Sequence, residues 1–154
     1  MILRAEGELL ACAAALAAEL WPGHTQEGLL KELKGLSPEE GAVFLAMENG
    51  APAGFAQCQL RHDYVEGTSH SPVGYLEGIY VREEYRGRRV AKALLSACEG
   101  WAAERGCLEF ASDCELDNHG SIAFHLGAGF TEANRIVCFT KRLTEEEDHG
   151  NGDV

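Results

Sequence analysis

The stretch 82-REEYRGRRVAK-92 places Arg82, Arg86, Arg88, Arg89 and Lys92 within eleven residues, five of only 13 Lys and Arg in a chain with 25 Asp and Glu. So much positive charge at one point of an acidic protein is chemistry for an anion. Its position narrows the class. The apolar run 73-VGYLEGIYV-81 precedes it, and Val90, Ala91, Leu94, Leu95, Cys98, Trp101 and Ala102 follow at helical spacing, so the charges flank a strand-to-helix turn. A helix start offers unpaired N–H groups and partial positive charge, which with cationic side chains suit a di- or triphosphate. A solvated basic helix face is the competing reading; tight clustering and position favour the phosphate. The P-loop string GxxxxGK[ST] is absent from the sequence, and no GxGxxG opens a dinucleotide site.

The elements around this turn are legible from period and punctuation. Residues 8–20 form an Ala-rich helical pattern closed by 21-WPGH-24, and a second helix spans 25–35, ending at Gly35 with Pro38 beyond. The runs 43-VFLAME-48 and 53-AGFAQCQLRH-62 read as strands joined at 49-NGAP-52, a hairpin signal. A strand over 73–81 follows the loop 65-VEGTSHSP-72, and the helix from about residue 89 ends at Gly106. A buried strand 107-CLEFAS-112, a helix over 118–127 and a last strand 135-RIVCFTKRL-143 complete the order ααβββαβαβ, to which Ile2–Arg4 adds a short first strand. That order predicts a single-domain α/β fold with one mixed central sheet flanked by helices.

Bulk properties exclude several classes. A chain of 154 residues, 45% apolar and 25% charged, fits one soluble globular domain. Its six cysteines, at 12, 58, 98, 107, 114 and 138, lie in apolar contexts without a CxxC pair, which predicts reduced, buried thiols and no metal site. The run 9-LLACAAALAA-18 is about half the length a bilayer demands and is flanked by Glu6, Glu8 and Glu19, so neither a membrane span nor a signal peptide is expected. The expected location is cytoplasmic. The segment 144-TEEEDHGNGDV-154 holds five acids and no Lys or Arg, and reads as an acidic disordered tail; the domain over 1–143 keeps a net charge of −7 out of −12. An acidic body argues against nucleic acid. A polycationic partner and a simply solvated surface both fit the charge.

The turn resembles the acetyl-CoA pyrophosphate loop of the GCN5-related N-acetyltransferases, [RQ]-x-x-G-x-[GA], here Arg86-Gly87-Arg88-Arg89-Val90-Ala91. Arg89 stands where that pattern has glycine, a position that favours positive φ or close phosphate approach. The string 118-NHGSIAFHLGAGF-130 resembles the same family's distal motif, with Asn118 capping a helix and facing the coenzyme. Further, 21-WPGH-24, 61-RHDYVEGTSHSPVGYLEGIYV-81 and 111-ASD-113 resemble the aminoglycoside 6′-N-acetyltransferases over roughly residues 18–142. The resemblance implies the GCN5-related fold, acetyl-CoA as co-substrate, bound by residues 79–81, 86–92 and Asn118, and acetyl transfer to the 6′-amine of an aminoglycoside.

It also implies roles on the acceptor side. An ammonium cannot attack a thioester, so the acceptor must lose a proton while held in place. Glu77 and Asp113, on strands expected to be parallel neighbours, would bind the amine and accept that proton. Trp21, His24 and Tyr64 match antibiotic-contacting positions, and Asn134 stands before Arg135 where the family commonly has Glu. Backbone N–H groups around Ile79, Tyr80 and Val81 would stabilise the developing oxyanion, with a bulge at Gly78 opening the sheet. His125 occupies the place of a common proton-donating tyrosine; Tyr80 is the other candidate donor to the leaving thiolate. Direct transfer without an acetyl-enzyme and a homodimer are expected. Two alternatives stay open: the same fold acting on a polyamine or protein amine, and a CoA-binding module without turnover.

Overall fold

In the computed structural model, which describes residues 1–145, the turn at Asn49–Gly50 makes a tight corner of the sheet. Both residues take positive φ, 52° and 81°, and join β2 (Gly41–Glu48) to β3 (Ala51–Arg61). Two consecutive left-handed residues match the twist of the flanking strands, and Asn-Gly adopts them at little cost. β1 (Ile2–Arg4) pairs antiparallel with β2, and β3 pairs antiparallel with β4 (Val73–Val81). β4 runs parallel to β5 (Phe110–Ala111), so the order is β1-β2-β3-β4-β5 in one mixed sheet, as the element pattern predicts.

Helices cover both faces. α1 (Leu9–Leu20) and α2 (Gln26–Lys34) pack Leu16, Leu29 and Leu33 against Val43, Leu45 and Phe55. On the other face α3 (Val90–Glu104) sets Leu94, Leu95, Cys98 and Trp101 over Ala42, Ala46, Ala56 and Leu76. Successive residues of β2 alternate between the two cores, the period of a strand buried on both sides. Fully buried side chains such as Leu16, Leu45, Phe55 and Leu94 each contribute roughly 1.5–3 kcal/mol. α2 starts at Thr25, whose Oγ1 accepts the Gly28 N–H at 3.0 Å, and α3 stops at Gly106, where φ is 85°. α4 (His119–Gly127) is capped by Asn118, whose Oδ1 accepts the Ser121 N–H at 3.1 Å.

Three expectations need correction. The strand expected over 107–112 shrinks to Phe110–Ala111, although the Glu109 carbonyl still accepts the Gly74 N–H at 3.1 Å. No strand forms over 135–143. Its β-branched and aromatic residues have the propensity, but among the described residues no neighbour covers them, and Ile136, Val137, Phe139 and Leu143 are 69%, 76%, 87% and 89% exposed. The six thiols are free, yet only Cys58 and Cys98 are buried; Cys114 and Cys138 are exposed because the chain after β5 carries them away from the core. The acidic tail expected over 144–154 lies, from residue 146 on, outside the described residues. No described helix is long and apolar enough to cross a membrane.

Candidate functional site

β4 is held to β5 only at Gly74–Phe110 and Tyr75–Ala111, beyond which the two chains part. On its other side β4 pairs with β3 as far as Val81, with one interruption. Gln57 faces Gly78 and Cys58 faces Leu76, so Glu77 is the extra residue of a bulge. The expected bulge therefore exists, centred one residue before Gly78. The Arg82 N–H donates to the Ala53 carbonyl of β3 at 2.8 Å. Alternation along the strand then turns the N–H groups of Val81 and Ile79 away from β3, into the gap that β5 leaves.

Beyond Val81 the chain makes one 3₁₀ turn (Glu83–Tyr85) and enters α3 through Gly87 and Arg89, with φ of 80° and 63°. Arg89 is the N-cap and offers the helix no side-chain hydrogen bond, which leaves the first N–H groups of α3 without a side-chain cap. An open cleft of about 220 Å³ lies there, lined by Val81, Arg86, Gly87, Arg89, Lys92 and Phe124 among others. The five cations divide. Arg82 is bound to Glu19 of α1 at 2.8 Å and to the Pro52 carbonyl, so it is no part of a free cationic cluster, a correction to the sequence reading. Arg86 donates Nε–H to the Val81 carbonyl at 2.8 Å, and Arg88 lies over the Tyr85 ring at 5.6 Å. Arg89 and Lys92 make no ion pair among the described residues and face the cleft, with Val90 and Ala91 completing the helix start. The cleft thus presents an anion with two free cations and a helix N-terminus.

The acidic groups lie around the bulge. Glu77 takes a two-point ion pair from Arg61 of β3, with Nη2–Oε1 at 3.0 Å and Nε–Oε2 at 3.1 Å. The Arg61 guanidinium lies 3.6 Å from the centre of the Tyr75 ring. The Tyr75 hydroxyl donates to the Asp113 carboxylate. Burial, and then that hydrogen bond, push the Tyr75 phenol far above its ordinary value, so it remains a donor. Glu77, Arg61, Tyr75 and Asp113 form one chain of contacts across the strands. Trp21 closes it on one side: a Cβ on Gly78 would lie 2.6 Å from Cζ2 and Cη2 of its ring, which packs edge-on against Phe55 at 6.0 Å. Sequence reasoning does not single out Arg61 or Tyr75, because their meeting depends on strand register.

The remaining residues fall into two groups. The Nδ1 of His125 lies 2.7 Å from the Ser121 carbonyl and its Nε2 lies 2.8 Å from Ser112 Oγ, just past the end of β5. Tyr80 sits on the α1 face, where its hydroxyl donates to Glu19 at 2.9 Å. Burial and then that bond raise its phenol above the ordinary value. His24 and Tyr64 are exposed on loops, with the Tyr64 hydroxyl accepting the Gly67 N–H at 3.4 Å. Glu109 ties this loop to the start of β5 by accepting the N–H groups of Ser69 and His70 at 2.8 and 2.9 Å. Ala133 crosses the same loop, since a Cβ on Gly67 would lie 2.6 Å from its own, and Asn134 follows it, exposed.

Residues 5–130 match the Acetyltransferase (GNAT) family. An aminoglycoside N(6′)-acetyltransferase type 1 of Stenotrophomonas maltophilia is 45% identical over 132 residues, covering 84% of this chain and 85% of the relative. Its counterpart in Salmonella typhimurium is 41% identical over 128 residues, covering 82% and 88%. Among solved structures, AAC(6′)-Iy in complex with the bisubstrate analog CoA-S-monomethyl-acetylneamine superposes with a TM-score of 0.86 at 37% identity, covering 92% of this chain and 97% of that one.

Proposed function

The chain belongs to the acetyltransferase (GNAT) family, and we propose that it transfers the acetyl group of acetyl-CoA to the 6′-amine of an aminoglycoside antibiotic. The observation that carries this reading is the acid-lined bulge and the cationic cleft, both set along the open half of β4 and the turn that follows it. Relatives sharing about 40% identity bear the same activity in their names, and a close structural neighbour holds CoA joined to an acetylated aminosugar.

The residues present fit acetyl-CoA. Arg89, Lys92 and the α3 N-terminus suit its pyrophosphate, supported by Arg86, Gly87, Arg88, Val90 and Ala91, with Asn118 at the head of α4. The N–H groups of Ile79 and Val81, turned away from β3, suit an extended amide-bearing arm and the carbonyl oxygen on which charge develops. The coenzyme supplies a thioester activated for attack by an amine. Glu77 and Asp113 attract the substrate ammonium and accept its proton, directly or through water. Arg61 and Tyr75 keep those carboxylates in place. Trp21, Tyr64, His24 and Asn134 line the approach of the sugar. His125 is the source of the proton for the departing thiolate, a role for which it is better placed than Tyr80, whose hydroxyl is engaged by Glu19 on the α1 face. No cysteine is required, and the acetyl group passes directly to the amine.

A net charge of −12 draws a polycationic sugar toward the protein. The same reading makes the chain a cytoplasmic homodimer. Six free thiols and the use of acetyl-CoA suit the cytoplasm. The apolar residues of 135–143 suit burial against a second copy. The test is thiol release from acetyl-CoA with kanamycin, tobramycin and gentamicin, alongside an acceptor bearing a 6′-hydroxyl. Turnover confined to 6′-amines is expected; equal turnover of the 6′-hydroxyl compound, or none with any of them, overturns the reading.

A further inference from the structure

The hydrogen bonds of His125 determine where its proton resides. The Ser121 carbonyl, 2.7 Å from Nδ1, can only accept, so Nδ1 carries the hydrogen. In the neutral ring Nε2 is then a bare acceptor. Among the described residues its hydrogen-bond partner is the Ser112 hydroxyl at 2.8 Å, which must therefore donate its single hydrogen to Nε2. A neutral His125 in this arrangement has no proton to offer the cleft.

Ser112 stands where the two halves of the site meet. It follows Ala111, the last residue that β5 pairs with β4, and so lies at the apex of the gap. Its neighbour Asp113 accepts from Tyr75 on the acid side, while Ser112 reaches His125, whose own neighbour Phe124 lines the cationic cleft. His125 is fixed from its other sides by the rings of Phe124 and Phe130, at 5.6 and 5.0 Å.

We propose that Ser112 is a catalytic residue, the hydroxyl through which His125 delivers a proton to the leaving thiolate. When Nε2 gains a proton from solvent, the imidazolium must donate at that nitrogen, and Ser112 reverses from donor to acceptor. Its hydroxyl hydrogen is then free to point into the gap. As the C–S bond breaks, the thiolate sulfur takes the hydroxyl hydrogen, Ser112 Oγ takes the Nε2 hydrogen, and His125 returns to its neutral Nδ1–H form. One proton enters from solvent and one leaves on the thiol. This step deepens the acetyl-transfer reading given above and rests on it.

Two measurements test it. Imidazole ¹⁵N shifts of the ligand-free wild-type protein, with His125 assigned through His125→Gln, should show Nδ1 protonated and Nε2 bare in the neutral ring; the opposite tautomer overturns the proposal. Steady-state kinetics, on whichever amine the wild type acetylates, should show Ser112→Ala losing at least about tenfold in kcat while KM for both substrates changes less than about twofold. Ser112→Thr, which restores the hydroxyl, should regain most of the rate. An unchanged kcat in Ser112→Ala, or a loss confined to KM, overturns it. If the wild type acetylates amines other than aminoglycosides, the acceptor assignment fails and the relay is judged on that amine. If it acetylates none, both fall. Should Ser112→Ala not fold, the tautomer measurement still decides.

Discussion

Arg89 sits at the entrance of α3 with φ of 63° and ψ of 22°, in the left-handed region where a side chain crowds its own carbonyl. Holding an L-residue there costs about 1–2 kcal/mol. Glycine avoids that cost but loses more chain entropy on folding, by roughly 0.5–1 kcal/mol. The balance predicts that Arg89→Gly stabilises the protein by about 0.5–1 kcal/mol, which for a domain of this size raises Tm by roughly 1–4 °C. Arg89→Ala keeps the Cβ and its strain, so its Tm should stay within about 1 °C of the wild type. Both variants lose a cation facing the cleft. An exposed charge contributes up to about 1 kcal/mol, so KM for acetyl-CoA should rise up to about fivefold in each, less so at high salt. Calorimetry of the three proteins separates the effects, because the stability change belongs to glycine alone and the affinity change to both. If alanine stabilises as much as glycine, or glycine does not stabilise at all, the strain account is wrong.

Asp113→Asn should lower kcat by about 100-fold or more while titration calorimetry finds acetyl-CoA binding within about twofold of wild type; an unchanged rate removes Asp113 from proton transfer. Gly78→Ala drives a methyl group into the Trp21 ring, so it should destabilise the fold by about 1–3 kcal/mol and raise KM for the acceptor more than for acetyl-CoA; an unaltered Tm and KM refute that packing. The Arg82 hydrogen bond holds the Glu19 carboxyl below its ordinary value of 4.5. A depressed carboxylate stabilises the fold above its unfolded-state pKa and loses that contribution as pH falls through its folded one. Glu19→Gln should therefore lower Tm modestly near pH 7, with the deficit closing as pH falls below the ordinary carboxylate range; a deficit independent of pH contradicts the ion pair.

The legibility of this chain follows the range of the interactions involved. β4 occupies the 73–81 predicted for it, and α3 starts and stops beside Arg89 and Gly106, because apolar period and glycine placement are local signals. The segment 135–143 carries equally clear strand propensity and forms no strand, since a strand needs an edge to pair with and propensity does not supply one. The carboxylates Glu77 and Asp113 were visible only through a resemblance. Their arrangement depends on Arg61, which reaches Glu77 across a bulge, and on Tyr75, whose ring lies between the Arg61 guanidinium and its own bond to Asp113. Arg82 shows the reverse. Its sequence position groups it with the phosphate-binding cations, but Glu19, 63 residues away in the chain, holds it on another part of the surface.

Four irregularities of the structure cluster around the candidate site. The bulge at Glu77, the left-handed Arg89, the parting of β4 from β5 and the exposed helix start of α3 all fall within the far half of β4 and the turn that follows it. The near half of the same strand, from Val73 to Leu76, is buried and contributes to the cores. This division has a physical cause. A backbone that must offer free N–H groups to a ligand cannot also satisfy them within a sheet, so pairing has to stop where binding begins. Stability is supplied largely by α3 and α1 packing on β2 and β3, which leaves the open edge of β4 free to carry strain. The two positions flanking the opening, Glu77 and Ser112, are therefore where substitutions should separate catalysis from folding: each lies at the margin of the ladder, close to the gap and away from the fully buried side chains of either core.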